Sequence, residues 1–141
     1  MMRKLLYSLL VIPMFLMAGL DIPKVNKVLM SLKSLTPLKF YNANKSIDLD
    51  DNLHFTSFEN ANIILFSNGR DKNKLAIVNS YKELRRSKNN IGAIYVKKGR
   101  TQIIFIEERL LEHGLSLPSS FQKNLLSECQ LNPLCLLEGI K

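Results

Sequence analysis

Residues 61–66 read ANIILF and residues 75–80 read LAIVNS. Neither run shows the apolar–polar alternation of a strand with one wet face. Continuous apolar runs of this length are the mark of strands buried on both faces. That demand excludes a fold in which every strand has a solvated side. The residues between the runs, SNGRDKN with its neighbours, leave little room for a crossover helix, and Asn68-Gly69 is the expected reversal. A compressed turn over 67–74 would set the two strands parallel and a hairpin would set them antiparallel. The sequence leaves both open.

A second constraint lies in IGAIYVKKGRTQIIFIEERLLEHGLSL, residues 91–117. Two strand-like runs flank Lys98-Gly99-Arg100, and Gly99 supplies the positive φ of a tight hairpin. The first run alternates through Ile94 and Val96 with Tyr95 opposite. The second is apolar on both faces at 103–106, which predicts that it is the more interior strand of the pair. Glu107–His113 then takes a helical rhythm, with acids in its first turn and Gly114 beyond its end as the C-cap.

Elsewhere, Val25, Val28, Leu29, Leu32 and Leu35 are spaced as one helical stripe, which predicts a helix over 24–35 stopped by Pro37. LKFYN is a short strand candidate, YKELRRSKNN a short polar helix or loop. Pro118 starts a last helix with Phe121 and Leu125 on one face. There is no internal repeat and no low-complexity segment.

The chain opens MMRKLLYSLLVIPMFLMAG. Arg3 and Lys4 precede an apolar run, Leu5–Met17, broken only by Ser8 and Pro13, and small residues follow at Ala18-Gly19. This pattern predicts a secretory signal peptide over 1–18 and hence a periplasmic protein. An uncleaved membrane anchor is the disfavoured alternative, because a helix needs about 20 apolar residues to cross a bilayer. No Cys follows the run, which argues against a lipid anchor. The formal charge of +8 becomes +6 when Arg3 and Lys4 leave. A modest positive charge serves solubility first, and it suits anionic headgroups or acidic partners second. The basic residues are dispersed with few interleaved aromatics, so nucleic acid is not expected.

No catalytic constellation emerges, and no enzyme, cofactor or metal is expected. His54 and His113 stand apart from other ligand types. Glu107 and Glu108, being adjacent, point to different helix faces and serve as helix-start charges. Asp48, Asp50 and Asp51 lack the glycine and terminal glutamate of a calcium loop and are expected to be solvated. NGR and KGR are turns with a cation, not phosphate-cradling loops. Cys129 and Cys135, in CQLNPLC, are an even pair in an oxidising compartment. Their spacing favours a local disulfide, with Asn132-Pro133 turning the chain back, over free thiols or a metal.

The order of pieces over residues 61–126 resembles the YfiR-like family of small periplasmic regulators. The resemblance rests on ANIILF, LAIVNS, the IGAIYVKKGRTQIIFIEERLL hairpin-and-helix, and the GLSLPSSF turn before a Leu-rich segment. It implies a single three-layer α/β domain over 19–128. The expected core is a mixed sheet of about five strands ending in the antiparallel hairpin 91–106 and flanked by helices. Residues 129–141 form a C-terminal tail. It also implies action by binding: the best-understood members restrain a membrane-bound diguanylate cyclase by contacting its periplasmic part. An inner-membrane signalling partner is therefore expected, with a homodimer left open. The family brings no catalytic residues. It usually has a longer helix between the two buried strands, and commonly an Asn where this chain has Glu107. The cysteines lie beyond the match, so no family disulfide is carried over. The alternative is a small-ligand-binding or cell-envelope accessory protein of a transport system, with its ligand unknown.

Overall fold

The two runs ANIILF and LAIVNS contribute adjacent parallel strands at the centre of the molecule. The computed structural model describes residues 19–69 and 73–132. In chain order the elements are α1 (Ile22–Ser31), β1 (Lys33–Ser34), β2 (Phe40–Asn42), β3 (Ile63–Ser67), β4 (Leu75–Val78) and α2 (Tyr81–Leu84). There follow β5 (Asn90–Lys97), β6 (Arg100–Ile106), α3 (Glu107–Glu112), β7 (Leu115–Ser116), a 3-10 segment (Ser119–Asn124), β8 (Leu125–Leu126) and α4 (Glu128–Leu131).

The main sheet has the order β2-β3-β4-β5-β6-β8. Strands β2 to β5 are parallel, β6 returns antiparallel to β5, and β8 lies parallel to β6. The sheet thus has six strands where about five were expected. The extra one is β8, two residues laid on the outer edge of β6. A separate antiparallel pair joins β1 to β7, with Ser34 opposite Leu115.

Side-chain alternation along β3 explains the layers. Ile63 and Leu65 enter one core and Ile64 the other, all fully buried. The first core is closed by Val25, Val28 and Leu29 of α1 together with Leu110 of α3. The second is closed by Leu84 of α2 and Leu131 of α4. The result is an α/β domain with helices on both faces of a mixed sheet. Helix α1 begins where Asp21 accepts a hydrogen bond from the Lys24 amide at 3.3 Å and Pro23 occupies the first turn. The hairpin turn places both Lys98 (φ 52°) and Gly99 (φ 74°) in the left-handed region, as a two-residue turn between twisted strands requires.

Three expectations need correction. Helix α1 ends at Ser31 and does not reach Leu35, because Leu32 is extended (φ −62°, ψ 124°) and the chain leaves to pair with β7. Leu35, assigned by its spacing to the buried stripe, is 94% exposed. In the hairpin, the first strand is the more interior: Asn90–Ile94 are all buried, whereas β6 alternates. β5 lies inside the sheet, paired with β4 on one side and β6 on the other, and its small Gly92 and Ala93 concealed that in the sequence. The segment after Pro118 is not one helix. Phe121 has non-helical angles (φ −105°, ψ 19°), and Leu125-Leu126 add to the sheet edge before α4 starts.

Candidate functional site

The residues named from sequence do not converge. His54 is exposed in the loop before β3, where its carbonyl accepts a hydrogen bond from the Phe40 amide at 2.8 Å. His113 is exposed at the end of α3. Asp50 is held by its backbone, its amide donating to Asn26 Oδ1 at 3.0 Å, and its carboxylate accepts from the Asn52 amide at 2.8 Å. The flanking Leu49 and Leu53 anchor that loop in the core. Among the described residues no three His, Cys, Asp or Glu side chains gather to hold a metal ion. Glu108 has a positional role: its Oε2 accepts from the Glu128 amide at 2.6 Å, at the start of α4. Cys129 follows Glu128 on α4, while Cys135, and Arg70 of the NGR turn, lie outside the described residues.

What the sequence reading missed is Arg109. Its guanidinium is buried beneath the junction of α2, β5, α3 and α4. Nη1 donates to the carbonyls of Leu84 (2.7 Å), Ser87 (3.1 Å) and Asn90 (2.7 Å). Nε and Nη2 grip the Glu128 carboxylate at 2.6 and 3.2 Å. The planar fork suits this two-point contact. Asn90, also buried, donates from Nδ2 to the Glu83 carbonyl at 2.7 Å. These bonds close the end of α2 and fasten the C-terminal elements, so the cluster is an architectural clamp. Every donor on Arg109 named here already has an acceptor from the protein.

Two surface features remain for recognition. The first is a cleft of about 540 Å³ between the end of α1, the 33–38 segment and the loop at 52–54. Leu29, Leu32, Leu38, Phe40 and Leu53 supply apolar walls, and Asn52 and His54 a polar rim. Its size falls in the range of small-molecule sites. Leu35 stands beside it in the chain, between Ser34 and Thr36, which both line the cleft. Met30, which also lines the cleft, and Phe55, next to His54, are further exposed apolar residues, and Leu111 is another on α3. The second feature is a cationic end of the β5–β6 hairpin.

No family model, curated protein or solved structure matches the chain significantly. Among the described residues no helix is long and apolar enough to cross a membrane. The expected signal segment, 1–18, lies outside the described residues.

Proposed function

We propose that this chain is a non-enzymatic periplasmic regulatory protein that works by binding an inner-membrane signalling protein, in the manner of YfiR-like repressors of diguanylate cyclases. The observation that carries the reading is Leu35. The α1 stripe would bury it, yet the chain turns away at Leu32 and presents it at 94% exposure, tied to the body through the β1–β7 pair. One exposed leucine is ordinary, but one held on a paired corner beside an apolar cleft is the kind of surface that a protein partner covers. The resemblance over 61–126 supports the class of partner.

The test is recovery of partners from membranes of the expressing cell. The exported wild-type protein recovers an inner-membrane signalling protein, and Leu35→Glu loses it while keeping its unfolding midpoint. Recovery of no signalling protein at all rejects the reading. The cleft favours a second reading, small-ligand binding in transport or envelope assembly. Native mass spectrometry of the purified chain retaining a small molecule, lost on Phe40→Ala, would establish it.

A further inference from the structure

The hairpin end is built differently from the rest of the surface. Val78, the last residue of β4, pairs with Ala93, so residues 94–97 of β5 project beyond it, paired with β6. The projection ends in Lys97, Lys98 and Arg100. Arg100 and Gln102 line a depression of about 440 Å³ with Lys97 and Lys98. They also line an adjoining one of about 750 Å³ with Lys24 and Lys123. All five cations are exposed, and none is in an ion pair among the described residues. Lys24 Nζ donates to the Thr101 carbonyl at 3.4 Å. The one carboxylate lining either depression is Asp21, already engaged at the start of α1.

We propose that this projecting end of the β5–β6 hairpin is a surface that binds anionic lipid headgroups. Two observations favour a membrane over a small anion or an acidic protein. The cations are spread across two open depressions and do not converge on one point. Val96, 41% exposed and opposite Thr101 in the projecting part of the hairpin, adds an exposed apolar side chain to this end, as an interfacial contact requires. The proposal takes its setting from the export reading but needs no regulatory partner. A vesicle assay, with no partner present, therefore fails or succeeds independently of the proposed function.

The experiment is co-sedimentation of the exported protein, without residues 1–18, with vesicles of phosphatidylcholine alone and of phosphatidylcholine mixed with phosphatidylglycerol. Both vesicle types offer the same kind of apolar interior, so the difference reports charge. Each basic residue near an anionic surface strengthens binding roughly fivefold. The combined variant Lys97→Gln, Lys98→Asn, Arg100→Gln, in which Asn suits the left-handed position, should weaken anionic-vesicle binding on the order of a hundredfold. Lys24→Gln with Lys123→Gln should weaken it roughly tenfold or more. A control removing the same charge elsewhere, Lys39→Gln, Lys82→Gln, Lys88→Gln, should retain most of the binding. High salt should abolish the preference. Equal binding to the two vesicle types overturns the proposal. So does hairpin-variant binding like that of the wild type, or a control that falls as far as the hairpin variant.

Discussion

Arg109 and Glu128 are joined at two points, Nε to Oε1 at 2.6 Å and Nη2 to Oε2 at 3.2 Å, with the arginine side chain 5% exposed and the glutamate 28%. Removing one partner of a buried pair strands the other, and here three carbonyls are stranded as well. Arg109→Met should therefore lower stability by about 3–5 kcal/mol, a large part of the total for a domain of this size. Arg109→Lys should recover little, since one ammonium cannot reproduce the fork. Urea midpoints measure this. A shift no larger than that of an exposed substitution would show that the clamp is not structural.

Two glycines of the hairpin should respond differently to the same change. A Cβ on Gly92 would lie 2.7 Å from Phe105 Cδ1 and 2.8 Å from the Ile104 carbonyl oxygen. Backbone of a paired strand cannot retreat, so Gly92→Ala should cost about 1–3 kcal/mol by overpacking. At Gly99 the space is open but φ is +74°. Gly99→Ala should cost about 1–2 kcal/mol from conformation alone. Asn tolerates the left-handed region and should recover most of the loss at 99, while at 92 it should be worse than Ala. Equal effects of Asn at both positions would refute this division.

That contrast shows where the sequence was readable. Local signals held: the unbroken run at Ile63–Leu65, the Lys98-Gly99 turn and the Gly114 cap each depend on neighbours within a few residues. What was hidden depends on distant partners. Leu35 continues the stripe of α1 by spacing alone, and only the pairing of Ser34 with Leu115 takes it out of the helix. Arg109 looks like a surface residue of a polar helix until Leu84, Ser87, Asn90 and Glu128 are brought around it by the tertiary fold. Burial at Gly92 and Ala93 was missed because small residues carry little hydrophobic pattern, although the smallness of Gly92 is what admits Phe105. The cationic hairpin end is dispersed in the chain as Lys24, Lys97–Arg100 and Lys123, and becomes a patch only in three dimensions.

Cys129 and Cys135 should form one disulfide in the exported protein. Thiol titration of the unfolded chain should detect no free thiol before reduction and both after it. A loop this short restricts the unfolded chain little, so reduction should lower stability by at most about 2 kcal/mol and leave the main sheet folded. Thiols that react without reduction would contradict the pairing.

Tyr95 makes alkaline stability a directed prediction. Burial pushes its phenol above the ordinary 10.0, and nearby Tyr81 adds in the same direction. The unfolded chain then gives up this proton at lower pH than the native one does. Above the ordinary value the native state holds more protons than the unfolded state, so stability falls as pH rises. The contribution is intact below pH 10.0 and is lost as pH climbs from there through the raised native value. Tyr95→Phe removes the ionising group, so the stability difference between wild type and variant should be flat from neutral pH to about 10 and then shift against the wild type. Denaturant midpoints across that range decide it, and curves that stay parallel above pH 10 would mean that Tyr95 titrates alike in both states.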